Sequence, residues 1–128
     1  MITISNNQVS NILSEKFAYE CVKKGIESQS KGYSYVMPRS TKSFGNNKLL
    51  ADMSALIKDM GVFGIKHYVV HNSKFSYYIY LYDFSTKELL TVLEAEEIGK
   101  YRTAAVTSLV IEKLRTASMK NLSIIGTG

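Results

Sequence analysis

The period of the apolar positions changes along the chain, and each change marks an element. Residues 1–5 alternate and predict a strand. Ser5 and Gln8 have the spacing of a capping box, which opens a short helix through Leu13. Ser14 is the next N-cap candidate. From it Phe17, Ala18, Cys21, Val22 and Ile26 recur at helical spacing to about Gln29, and Lys31-Gly32 ends the helix. Tyr33 to Arg39 is β-prone, and Pro38 marks its end or a sheet edge. "STKSFGNNK" reads as a turn region. Leu49 to Ile57 reads as a strand, although its Ala and Met content permits a helix. Gly61 and Gly64 bracket a turn, and strands follow at Ile65–Val70, Tyr77–Tyr82 and Leu89–Leu93.

The pattern "SYYIYLYD" is apolar on both faces. Tyr77, Ile79 and Leu81 point one way, and Tyr78, Tyr80 and Tyr82 the other. Such a strand belongs inside a sandwich or barrel, or at a subunit interface. From Ala95 to about Ser118 the period becomes helical, with Ile98, Tyr101, Ala105, Leu109 and Val110 on one side. Leu122 to Ile125 reads as a last short strand, followed by Gly126-Thr127-Gly128. The expected fold class is α+β. It has a mixed, largely antiparallel sheet with N-terminal helices, and one long helix that leads into the first strand of something else.

Composition changes this picture little. A chain of 128 residues suits one domain, and 45% hydrophobic with 21% charged residues is a globular composition. Cys21 is the single cysteine and reads as a buried structural thiol in a reducing compartment. The first ten residues lack the charged and apolar regions of a secretory signal, and no apolar run approaches about 18 residues. A soluble, cytoplasmic protein without membrane partners is expected. The net charge of +5 fits either nucleic acid or a pocket for anionic ligands. Ser28 to Ala51 holds Lys31, Arg39, Lys42 and Lys48 and no acid, which also reads simply as a solvated basic face.

Arg102 lies in "RTAA" within the long helix, among Ile98, Ala105, Val106 and Leu109. A guanidinium on an apolar stripe needs a protein carboxylate or an anionic ligand. Arg115, in a similar "RTAS", points nearly the opposite way, because thirteen residues rotate a helix by about 220° beyond whole turns. Lys66 sits in the apolar "GIKHYVVHN", and a lysine at a sheet edge with its head in water is the plain reading. Arg39 reads equally as a surface arginine. His67 and His71 share a strand face without a third ligand, so they read as structural histidines, and no metal site is expected. Glu94, Glu96 and Glu97 suit the start of the long helix. No nucleophile–base pair is legible, and no catalytic residue is assigned within the chain.

The stretch "IGKYRTAAVTSLVIEKL…LSIIGTG" resembles the ornithine cyclodeaminase/mu-crystallin family, in which an R-T-A-A helix leads into the first strand and glycine turn of a Rossmann domain. "GIKHYVVHN", "MPRS" and "LADMSA" resemble three upstream segments of that family. The resemblance covers the whole chain and about the N-terminal third of a family member.

It implies a substrate-binding and dimerisation domain over 1–120, and the first strand and glycine turn of a truncated dinucleotide-binding domain over 121–128. It further implies that Arg39, Lys66 and Arg102 hold the carboxylate of an α-amino acid or cyclic imine during NAD- or NADP-dependent hydride transfer. Gly126, Thr127 and Gly128 would belong to the cofactor turn. The isolated chain is expected to bind no cofactor and to be inactive, because a G-x-G turn without its helix lacks the N–H cluster that holds pyrophosphate.

Ala51 stands where ornithine-specific members have glutamate, Ser54 where proline is usual, and Lys87 where a turn glycine is common. The loop after Asn72 is short. These departures leave room for a ketimine reductase or alanine dehydrogenase-like member. Readings from other classes are a basic single-strand nucleic-acid-binding module and an inactive dimerisation module; stacking on tyrosines would serve the first. The tyrosines fall on both faces of a strand instead of alternating with Lys or Arg, so no nucleic-acid partner is expected.

Overall fold

Four long alternating or apolar segments form the centre of one seven-stranded sheet. The computed structural model describes residues 1–45 and 48–126. In chain order these form β1 (Ile2–Ile4), α1 (Asn6–Ile12), α2 (Glu15–Ser30), β2 (Ser34–Val36), β3 (Ser40–Ser43), β4 (Leu49–Ile57), a 3-10 turn (Lys58–Met60), β5 (Val62–His71), β6 (Lys74–Asp83), β7 (Leu89–Glu94) and α3 (Glu96–Leu114). The sheet order is β1-β7-β6-β5-β4-β2, with β3 also paired to β4. Only β1 against β7 is parallel among these pairs. The α+β class and the mixed, mostly antiparallel sheet are as the sequence indicates.

The helix starts follow their sequence signals. Ser5 Oγ accepts from Gln8 N at 3.4 Å, and Ser5 N donates to Gln8 Oε1 at 2.9 Å, completing the capping box. Ser14 Oγ accepts from Phe17 N at 3.2 Å to start α2. Asn6 joins the two ends of the chain fold. Its N–H donates to Glu94 Oε2 at 2.8 Å, and its Oδ1 accepts from Glu96 N at 3.2 Å. Tyr19 on α2 donates to Glu112 on α3.

Several expectations are corrected. "STKSFGNNK" is not a turn throughout: Ser40–Ser43 pairs antiparallel with Leu49–Asp52, because a short polar edge strand can satisfy its backbone on one side. Asn46 and Asn47 of that stretch lie outside the described residues. Gly64 does not close a turn. The left-handed Gly61, with φ 64°, ends the 3-10 turn, and β5 already begins at Val62. Cys21 is exposed. Helix α2 buries only Ala18 and Ser28, so most of its apolar residues, the half-exposed Phe17 and Ile26 included, stay outside the core. Val110 is half-exposed for the same reason: α3 buries only Ala105 and Leu109.

Residues 121–126 have no regular secondary structure, so the strand expected at Leu122–Ile125 is not formed among the described residues. A strand needs neighbours to satisfy its backbone, and Ile124 and Ile125 are strongly exposed here. Lys87 does occupy a left-handed position, with φ 64°, which is why a glycine would suit it.

The hairpin between β5 and β6 closes with Asn72 and Ser73, both at positive φ, as a two-residue turn matched to strand twist requires. This turn sets the register: Val70 faces Phe75, Tyr68 faces Tyr77, and Lys66 faces Ile79. On β4, Ala51 faces Tyr68 and Met53 faces Lys66. These residues share one face of the sheet, and α3 lies over it. Leu56, Phe63, Ile65, Tyr80, Tyr82 and the Asp52–His67 pair share the other. None of that second set is buried.

Candidate functional site

The break between β2 and β3 positions the first cation. Val36 pairs with Ala55 and Ser40 with Asp52, so three residues, Met37, Pro38 and Arg39, span the two positions Met53 and Ser54. Met37 N still donates to Ser54 O at 2.8 Å, while proline has no donor to place. Arg39 therefore emerges beside Met53, whose other neighbour is Lys66. Two strand spacings put Arg39 and Lys66 about 10 Å apart at the backbone.

Their side chains line the same open cleft of about 1160 Å³, between the sheet and α3. Arg39 Cζ lies 5.9 Å from the centroid of the Tyr68 ring, and Lys66 Nζ 5.0 Å from that of Tyr77. Both distances are in the range of cation–π attraction. The two tyrosine rings are 5.3 Å apart, and Phe75 stacks on Tyr77 at 5.6 Å with an interplanar angle of 7°. The cleft floor is thus a row of aromatic rings with a cation over each of two. From α3, Gly99, Thr103 and Thr107 complete the wall. A Cβ on Gly99 would stand 3.7 Å from Lys66 Nζ, so the missing side chain leaves the ammonium open on that side.

Lys66 is corrected from an edge lysine: β5 is an interior strand, and the side chain is half-buried. Burial holds its pKa below the ordinary 10.5, and the charges of Arg102 and Arg39 lower it further. Arg102 is corrected as well. It is exposed, although it shares a helix side with the buried Ala105 and Leu109. It does not line the cleft, yet its charge bears on Lys66 more than that of Arg39. Arg39 and Lys66 share the cleft, and Arg102 reaches it only through its charge on Lys66.

No carboxylate among the described residues comes within 4.0 Å of Arg39, Lys66 or Arg102. Glu94 is taken by the Asn6 N–H, and Asp52 Oδ1 accepts from His67 Nδ1 at 2.7 Å on the opposite face. Glu96, which also lines the cleft, is 3.6 Å from Lys100. His67 is therefore a satisfied structural histidine, and no group of three metal-binding side chains occurs among the described residues. Burial also raises the Tyr77 pKa above 10.0, with Tyr68 and Glu96 adding to the effect, so the phenol stays protonated at neutral pH.

Gly126 has φ 89°, which fits a tight glycine turn, but Thr127 and Gly128 lie outside the described residues. The described part offers no helix N-terminus behind Gly126 to hold a pyrophosphate, so the residues present do not form a dinucleotide site. Leu122 and Ile124 instead border the cleft. No helix among the described residues is long and apolar enough to cross a membrane.

Tyr68, Tyr77, Phe75 and Gly99 were not legible as site residues. The signal was the two-residue turn: counting back from it pairs Tyr68 with Tyr77 and places both beside Lys66.

No family model matches the sequence, and no curated protein matches it. Solved structures do match in three dimensions. A probable ornithine cyclodeaminase from Bordetella pertussis Tohama I has a TM-score of 0.83 at 24% identity, over 89% of this chain and 36% of its own. The iminosuccinate reductase of Paracoccus denitrificans, solved with NAD+, has a TM-score of 0.87 at 17% identity, over 94% and 40%. The Thermococcus litoralis Δ1-pyrroline-2-carboxylate reductase, solved with NADH and L-proline, has 0.84 at 19%, over 91% and 38%. The chain spans about two fifths of the length of these structures. The chain has the fold that ornithine cyclodeaminase and these NAD-dependent reductases share over that part of their length.

Proposed function

We propose that this chain is the substrate-binding and dimerisation part of an NAD(P)-dependent oxidoreductase of the ornithine cyclodeaminase/mu-crystallin family. In this reading Arg39, Lys66 and Arg102 hold the α-carboxylate of an amino acid or cyclic imine. The observation that carries it is the set of three cations, two in one cleft and the third pressing its charge on Lys66, with no carboxylate of the described residues within 4.0 Å of any of them. An anion there favours the charged form of Lys66, which burial and the charges of Arg102 and Arg39 disfavour.

The fold neighbours act on molecules that share this chemistry, a carboxylate beside a carbon–nitrogen bond. A nicotinamide, bound by a dinucleotide domain that the segment from residue 121 onward would open, would exchange hydride with that carbon. The chain's own part is alignment: a carboxylate fixed at its end cannot swing the neighbouring carbon out of line. Committing all three cations to the carboxylate also keeps them from an iminium that carries positive charge. The open sheet face of Phe63, Ile65, Tyr80 and Tyr82 serves in this reading as the contact between two copies.

The test is titration of the chain with L-norvaline, a plain monocarboxylic amino acid, followed by NMR. Lys66→Met and Arg102→Met each weaken binding by about 2–5 kcal/mol, as when one side of a charge pair is lost. Arg115→Met, with the same local sequence at the exposed end of α3, stays within about 0.3 kcal/mol of the parent chain. Equal effects of Arg102→Met and Arg115→Met would remove Arg102 from the clamp.

A further inference from the structure

Beyond the three cations, the cleft holds a feature that carboxylate binding leaves unused. Tyr68, Tyr77 and Phe75 form a continuous row, with centroids 5.3 and 5.6 Å apart. Two of the rings carry a cation, Arg39 over Tyr68 and Lys66 over Tyr77, and Lys74 and Lys100 also border the cleft. Phe75 has no cation over it, lines the same cleft and is 52% exposed. An exposed phenyl ring in a concave wall, stacked on its inner side and open on its outer side, is a surface for another flat apolar group.

The spacing fits an amino acid held by the cations. Lys66 Nζ leans along β5 to the level of Tyr77, so an anion on it also sits at that level. Phe75 is the next residue on the same face, about 7 Å further along β6. A side chain whose ring begins one methylene beyond the α-carbon covers about that distance. The cleft offers nothing comparable to a second ammonium. Its one lining carboxylate, Glu96, is already beside Lys100, and Ala51 under Tyr68 is fully buried without a charge.

We infer that the Tyr68–Tyr77–Phe75 row is a side-chain subsite for aromatic or similarly flat apolar substrates, with Phe75 as its outermost, selecting residue. This rests on the carboxylate reading above and names the substrate class for the same site. A ring lying against Phe75 gains contact and stacking that a linear side chain gains only in part, while an ω-ammonium finds no unpaired carboxylate among the described lining residues.

The experiment is ligand-detected NMR on the 128-residue chain with L-phenylalanine, L-norvaline, L-ornithine and L-glutamate. The expected result is phenylalanine binding at least fivefold more tightly than norvaline, with saturation strongest on its ring protons, and ornithine binding weakest. Phe75→Ala lowers phenylalanine affinity at least fivefold and norvaline affinity less than twofold. Phe75→Leu gives an intermediate loss. Phe84→Ala, an exposed phenylalanine outside the cleft, changes neither. Ornithine, glutamate or norvaline binding as tightly as phenylalanine, or a phenylalanine preference that survives Phe75→Ala, overturns the aromatic subsite and leaves the clamp standing. Absence of binding by all four, or binding unchanged by Lys66→Met, overturns the clamp and the subsite with it.

Discussion

Lys66 and His67 are consecutive residues on one strand, and they meet opposite electrostatic fates. His67 points to the open face, where Asp52, its partner on β4, stands 2.7 Å away. Lys66 points under α3, where the charges that lower its pKa are those of Arg102 and Arg39, both of its own sign. One face closes its charges internally; the other gathers like charges and leaves them open. Folding alone gains nothing from such a cluster. The difference separates a group that serves the fold from a group that awaits a ligand, and neither sequence position nor exposure alone would make that separation.

The comparison breaks most visibly at the open face. Ile65 lies beside His67 on that face, opposite Tyr80. If two copies join there, Ile65→Asp places a charge in an apolar contact and converts dimer to monomer, a loss of several kcal/mol in order of magnitude. Sedimentation velocity reads the change directly, and a parent chain that sediments as a monomer at high concentration rules the contact out. Ligand affinity in the cleft should persist in the variant, since the two faces do not share side chains.

A smaller effect sharpens the internal pairing. Asp52→Ala removes a hydrogen bond between side chains that are 30% and 48% exposed, and is expected to cost about 1 kcal/mol in urea unfolding. Amino-acid binding should be unaffected. A change in binding would mean that the faces are coupled through β4.

The smallest effect has the opposite sign. Because Lys66 has a lowered pKa, its charged form is disfavoured in the fold, and the penalty is fully present below that lowered pKa. Stability of the ligand-free chain should therefore rise with pH between the lowered value and 10.5, where the unfolded chain still holds the proton. Lys66→Met removes this slope and stabilises the ligand-free chain at pH 7 by up to about 1 kcal/mol, after allowing for solvent screening. Thermal unfolding across pH 7 to 10 checks both. A Lys66→Met chain that is less stable than the parent at pH 7 would show that the lysine contributes to the fold.

Much of the architecture was legible because local rules suffice for it. The Ser5–Gln8 capping box, the Ser14 cap, the long helix and the alternating strands each depend on residues a few positions apart. The polar edge strand Ser40–Ser43 was read as a turn because its only reason to be extended is β4, nine residues further on. Leu122–Ile125 was read as a strand on its own β-prone residues, yet pairing decides whether such a segment forms one.

The site divides in the same way. The sequence by itself determined that Arg39, Lys66 and Arg102 are present in a pattern resembling a carboxylate-binding family. Only the tertiary structure decided that Arg39 emerges beside Met53 and Lys66, that Arg102 stays exposed beside the cleft, and that Tyr68, Tyr77 and Phe75 make one row under α3. Periodicity reports which side of its own element a residue occupies. It carries no information on which other element covers that side, because that depends on contacts between residues tens of positions apart.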